Sequence, residues 1–149
     1  WDQGEHNREA KFNNYLGRFH SRHTDLMDLL AGYQARAVQP LDQVATLLGF
    51  PGKAGMDGSQ VWPAFLAGEL SKIRQYCETD VLNTWLVWLR FQFMRGQLDK
   101  AGLDLELGLV RELLKASTMP HLQAFLADWD AAQAALPSLD LPLNHPIAS

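Results

Sequence analysis

Tyr76 and Asp80 are the residues of this chain whose types and spacing best suit chemistry. In the stretch "YCETDVLNT" they stand four apart, so on a helix both side chains leave the same face, one turn from each other. A phenol and a carboxylate placed this way can share one water. The carboxylate holds a divalent cation, and the phenol orients or deprotonates the water bound to it. A tyrosine titrates near about 10 and is a poor base, so the cation has to lower the pKa of the water. Asn83 continues the stripe and is a candidate contact to nucleic acid. Glu78 leaves the helix in another direction and is expected to be solvated. A bland reading competes with this one: Tyr-x-x-x-Asp is common on helices, and the stripe is then a polar flank beside a buried one.

The elements that must position these residues are helical. Apolar residues at Leu70, Ile73, Cys77, Leu82, Trp85, Trp88 and Leu89 give a broad face to a long helix from Glu69 to about Arg95, with Gly96 as its break. Before it, Thr24 or Asp25 can cap a short helix in "HTDLMDLLAGY", with Asp28 in the first turn where the helix dipole favours an acid. "PLDQVATLLGF" puts Leu41, Val44, Leu47 and Leu48 on one face. The loop "GFPGKAGMDGS" is too rich in glycine for regular structure, and Asp57 or Ser59 can cap the helix after it, with Pro63 tolerated close to the first turn. "LDLELGLVRELLKAS" and "HLQAFLADWDAAQAAL" read as two further helices, and the proline-rich tail from Pro137 as an extended segment. No alternating segment is long enough for a strand, so the chain is expected to be mainly α.

The whole chain of 149 residues is 47% hydrophobic and 20% charged, an ordinary balance for a globular protein with a core. No apolar run spans a bilayer, since Arg90 interrupts "WLVWLRFQF", and the polar start is not a secretory signal. The single cysteine, Cys77, can neither close an intrachain disulfide nor build a thiolate zinc site, which points to a reducing, cytoplasmic setting. The net charge of −4 gives no general attraction for phosphates, so nucleic-acid binding must rest on a local patch or on cations. His20-x-x-His23 is the only close histidine pair; it suits metal, but also an ordinary surface.

Taken in order, "HTDLMDLL", "LLGFPGKAGMDGSQVW" and "YCETDVLNTWLVWLRF" resemble the C-terminal half of bacterial 3′–5′ exonucleases related to the proofreading domain of family-B DNA polymerases. These are RNase H-like enzymes whose sites use four acidic residues and a tyrosine, the DEDDy type. The resemblance covers about residues 11 to 95, and Tyr-Cys-x-x-Asp, matching the third exonuclease motif, is its most specific part. It implies that Asp80 is a metal ligand and that Tyr76 positions the attacking water. It also implies two divalent cations, magnesium or manganese, on the scissile phosphate, with the 3′ end of single-stranded DNA as substrate. Asp25 matches the acid that opens the "DL" segment; it reads mainly as a cap, with a supporting part in the site as the alternative. Lys53, among glycines, is placed either for a phosphate contact or as a solvated loop residue.

The first and second motifs of that family are missing. They precede the third and supply the other acids, the first as Asp-x-Glu on a strand. Here the only Asp-x-Glu is Asp104-Leu105-Glu106, on a later expected helix, and it reads as a surface pair. With Trp1 rather than Met at the start, the chain is expected to be the helical C-terminal portion of a larger α/β enzyme. Residues 1–96 then end the exonuclease domain, and 97–149 are a helical extension packed on it. Such a piece is expected to be inactive alone. The aromatics Trp85, Trp88, Phe91 and Phe93 suit a core better than a base-stacking platform; if the sheet they pack on is absent, their exposed part favours a homodimer. The alternative function is an all-helical protein-interaction module without chemistry.

Overall fold

The computed structural model describes residues 24–52 and 55–135. These are mainly helical, with no strand among the described residues. The chain divides into two compact units, Trp1–Leu41 and Asp42–Ser149. In the first, helix α1 (Leu26–Leu30) is started by Asp25, whose Oδ1 accepts from the backbone N–H groups of Met27 and Asp28 at 3.0 and 3.1 Å. Asp25 is thus the cap that the sequence leads one to expect. A 3-10 turn at Ala35–Ala37 follows.

The second unit takes in α2 (Leu41–Leu47), a 3-10 turn at Gly58–Gln60, and α3 (Val61–Leu66). The long α4 (Leu70–Met94), α5 (Lys100–Ala116) and α6 (Pro120–Ala135) complete it. Pro63 is the third residue of α3, where a missing N–H leaves no helical bond unmade. Asp57 and Gln60 form a capping box on the 3-10 turn. Asp99 caps α5 by accepting from Gly102 N at 2.7 Å. The Gln123 amide of α6 donates to the carbonyls of Leu114 and Ser117 at 2.8 and 2.6 Å, which satisfies the end of α5 and closes the turn between the two helices.

Helix α4 packs on α3, α5 and α6, and α5 packs on α6. The core gathers Leu86, Val87 and Leu89 of α4, Leu103 and Leu114 of α5, and Phe125, Leu126 and Trp129 of α6. Each such side chain contributes about 2 kcal/mol from the area it removes from water. Phe50 meets Trp129 edge to face with ring centroids 5.8 Å apart, and the Arg111 guanidinium lies 4.2 Å over the same indole while pairing with Asp130.

Two expectations need correction. The buried face of α4 is Thr79, Asn83, Leu86, Val87 and Leu89, whereas Leu70, Cys77 and Trp85 are exposed. The helix is rotated away from its most aromatic stripe because Asn83 is drawn inward to the Gly52 backbone, and Thr79 is tolerated beside it with its hydroxyl bonded within the helix. On α2 the buried residue is the small Ala45, and Leu47 stands 81% exposed. Close approach of the following loop explains the choice. Gly52 has a φ of 69°, and a Cβ there would lie 2.7 Å from the Asp42 carbonyl oxygen. Only glycine lets this loop lie on α2.

Candidate active site

The loop that rests on α2 is held against α4 by Asn83. Its Oδ1 accepts from Gly52 N at 3.2 Å, and its Nδ2 donates to Gly52 O. At 3% exposure, with both amide atoms taken up by one backbone unit, Asn83 is a staple between loop and helix. This corrects the expectation of a nucleic-acid contact: the amide is already spent, and unmaking it would leave buried groups unsatisfied. Thr79, one turn earlier, is also buried, its hydroxyl donating to the Tyr76 carbonyl at 2.9 Å. The staple ties the rotation of α4 to the loop and so helps decide which residues flank its buried face, whereas the Thr79 bond stays within α4 and makes its hydroxyl acceptable in the interior.

Tyr76 and Asp80 lie on one flank. Tyr76 is half-buried and Asp80 exposed. The tyrosine hydroxyl reaches over the start of the 3-10 turn, where a Cβ on Gly58 would sit 3.6 Å from it. Desolvation, followed by the nearby Asp80, Cys77, Asp57 and Asp42, holds the Tyr76 phenol above its usual pKa of 10.0. The phenol is therefore a hydrogen-bond donor across the physiological range, not a base. The Asp80 carboxyl is also raised from its usual 3.8, first by desolvation and then by the charge of Asp42. Asp42 from α2 and Asp57 from the cap of the 3-10 turn thus bring negative potential to the same flank. Neither was legible as a site residue in the sequence: Asp57 reads there as a cap, and Asp42 has no motif.

The opposite flank of the same turn is built differently. Glu78 accepts from Arg74 Nε at 2.7 Å and from His121 Nε2 of α6 at 2.6 Å. The histidine nitrogen must carry the hydrogen, since a carboxylate offers none. These bonds to Arg74 and His121 hold the Glu78 pKa below its ordinary value. Glu78 is therefore a tether between α4 and α6 rather than a merely solvated acid. Arg74 is a partner one turn away on the same helix, but the α6 partner lies 43 positions away, and no local pattern announces it.

Asp104 pairs with Lys100 on the exposed side of α5, as a surface acid. Lys53, His20 and His23 lie outside the described residues. Among the described residues no group of three or more His, Cys, Asp or Glu side chains is arranged to hold a metal ion. Asp80 is an available carboxylate with Asp42 close by, but the described part of the chain does not complete a two-ion site. Of the aromatic run, Trp85 and Phe93 are exposed at 43% and 38% while Trp88 and Phe91 are half-buried. Larger aromatic exposure lies on α3, where Trp62 and Phe65 stack with centroids 5.7 Å apart. No described helix is long and apolar enough to cross a membrane.

A cavity of about 370 Å³ lies beside Tyr76, walled on one side by Lys72, Gln75 and Thr79 and on the other by His121 and Phe125 of α6. A second, of about 470 Å³, adjoins it along α3 and shares Gly55, Met56 and Lys72 with it.

Comparison with curated proteins and comparison with solved structures each return no match. Comparison with protein families does return one: residues 1–129 match the family described as "predicted 3'-5' exonuclease related to the exonuclease domain of PolB". That match takes in the loop, α4, α5 and most of α6, and by it this chain belongs to that family of 3′–5′ exonucleases.

Proposed function

We propose that the chain works as the helical portion of a metal-dependent 3′–5′ exonuclease of the DEDDy, RNase H-like type, acting on the 3′ ends of single-stranded DNA. The observation that carries this reading is the flank of α4 on which Tyr76 and Asp80 stand together, with both groups held above their ordinary pKa by burial and by Asp42. A carboxylate destabilised in this way gains from a cation, so Asp80 is the ligand this chain offers to magnesium or manganese. The chemistry such ions supply is activation of the attacking water and neutralisation of the leaving 3′ oxygen. Tyr76, kept protonated, donates to the water or to a phosphate oxygen and fixes the line of attack. Asp42 and Asp57 keep the flank negative, so that the site prefers to hold its substrate phosphate only with cations bound. The remaining ligands come from outside residues 24–135, and the chain alone is expected to hydrolyse DNA slowly or not at all. Self-association through Trp85 and Phe93 belongs to the same proposal.

The test is hydrolysis of 5′-labelled single-stranded DNA in manganese by the chain and by any longer form of the protein that contains it, each beside Asp80→Ala and Tyr76→Phe. In whichever form is active, Asp80→Ala is expected to lose about a hundredfold or more and Tyr76→Phe about tenfold. Equal rates in wild type and Asp80→Ala would remove Asp80 from the mechanism. The second reading, a non-catalytic interaction module, then gains; it is favoured by the exposed Leu105, Leu109 and Leu113, which recur every four residues along α5.

A further inference from the structure

We propose that α5 pairs with the α5 of a second copy of this chain, antiparallel and in one register, centred on Leu109. The proposal goes beyond the exonuclease reading and does not depend on it. The apolar part of the contact is the stripe Leu105, Leu109 and Leu113, each more than half exposed on the side of α5 away from the buried Leu103 and Leu114. At four-residue intervals these side chains form one ridge of the helix, about 12 Å from first to last. A two-fold axis at Leu109 sets that residue on the partner's Leu109, and sets Leu105 on the partner's Leu113 twice over. The isolated chain leaves its three leucines in water, and the pairing removes all six from it. Gly108 lies beside the stripe, and a Cβ there would meet nothing within 4 Å, so the two helices can approach closely on that flank.

Charge on the flank of the stripe selects a second copy and the antiparallel sense. Asp104 and Lys115 are both exposed and stand eleven residues apart, which is three turns, so they share one flank. One lies five residues before Leu109 and the other six after it. Antiparallel pairing about Leu109 therefore brings Asp104 within about one residue's rise of the partner's Lys115, and the two-fold axis repeats the pair. Within one chain Asp104 holds Lys100 at 2.5 Å and Lys115 holds Glu112 at 2.9 Å, both as exposed pairs. Such pairs contribute little and leave carboxylate lone pairs and ammonium hydrogens open. The cross pair joins them into a row of alternating sign: Lys100, Asp104, the partner's Lys115 and the partner's Glu112. A parallel pairing instead turns the Asp104 flank to the partner's Glu106, like against like, and aligns the two helix dipoles.

The test is sedimentation equilibrium of the full chain with cysteine cross-linking, in a Cys77→Ser background that removes the exposed native thiol. Expected is a weak dimer with a dissociation constant on the order of 10–100 μM, as suits a contact of one helix from each copy. Under mild oxidation Leu109→Cys should form a disulfide-linked dimer. Leu105→Cys and Leu113→Cys should each form none alone and should link to each other when mixed, since only the antiparallel register sets these positions together. Leu109→Asp, at an exposed position, should leave the urea midpoint of the fold little changed and weaken the dimer by about tenfold or more. Lys115→Glu should weaken it about tenfold, and Asp104→Lys in the same chain should restore it. A chain that stays monomeric up to about 1 mM overturns the inference, and so does cross-linking of Leu105→Cys with itself. Association through Trp85 and Phe93 alone gives neither the cysteine pattern nor the rescue by charge reversal, and overturns it as well. Hydrolysis enters none of these readouts, so the pairing and the exonuclease reading fail separately.

Discussion

Glu78 and Asp80 are two residues apart on one helix and belong to opposite flanks of it. Glu78 faces complementary partners, Arg74 and His121, and its pKa is lowered. Asp80 faces protein that desolvates it and the like charge of Asp42, and its pKa is raised. One flank is arranged so that ionisation stabilises the fold, the other so that ionisation costs it. Groups held at a cost in the folded state cluster where a ligand is meant to repay it. The contrast is thus the physical reason for looking for the site on the Asp80 flank, and it can be broken in stages.

The largest effect is expected from the seam that both flanks share. Leu86 is fully buried between them, and Leu86→Ala should cost about 3 kcal/mol through lost transfer and a residual cavity. Measured by urea denaturation, the loss should loosen both flanks together: the titration midpoints of Glu78 and Asp80 should both move towards their ordinary values. A loss under about 1 kcal/mol would mean that α4 is not seated as described.

A smaller and one-sided effect is expected from the staple. Asn83→Ala leaves the buried N–H and C=O of Gly52 without their partner and should cost about 2 kcal/mol. Gly52→Ala acts on the same contact from the other side, because of its left-handed φ and the Asp42 carbonyl oxygen 2.7 Å from a new Cβ. Either change frees α2 from α4 and moves Asp42 from Asp80. The Asp80 pKa should fall towards 3.8 while that of Glu78 stays where it is, read by carboxyl-carbon NMR. If Glu78 moves and Asp80 does not, the assignment of the two flanks is reversed.

The staple also shows what a sequence can and cannot carry. The extents of α4, α5 and α6 are legible because caps and breakers are local: Asp99 before α5, Pro120 at the start of α6, Gly96 after α4. The pair Tyr76 and Asp80 is legible because a spacing of four on a helix fixes a shared face. The orientation of α4 is not. A pattern that scores apolar residues turns Trp85 and Cys77 inward, whereas the fold buries Thr79 and Asn83, whose hydrogen bonds make them acceptable in the interior. Of the partners of the flanking acids, Arg74 is legible at a spacing of four from Glu78, whereas His121 and Asp42 come from other helices, and only the packing of those helices brings them to Glu78 and Asp80.

The smallest effect is the pH dependence of stability, and its sign separates the flanks. A carboxyl whose folded pKa is lowered contributes stability above its unfolded value, near 4.5 for Glu78, and loses it as the pH falls through the folded pKa. A carboxyl whose folded pKa is raised does the reverse. Asp80 costs nothing below its unfolded value, near 3.8, and its penalty grows as the pH rises from there to the folded pKa. On acidification through this window the wild type therefore loses the Glu78 contribution while it is relieved of the Asp80 penalty. Glu78→Gln should flatten the acid-side fall in urea midpoint. Asp80→Asn should raise the midpoint at neutral pH, leave it unchanged in acid, and so steepen the fall. Both flanks of α4 would have to be electrostatically alike for the two variants to bend the profile in the same direction, and in that case the Asp80 flank would no longer be marked as the place where a cation is needed.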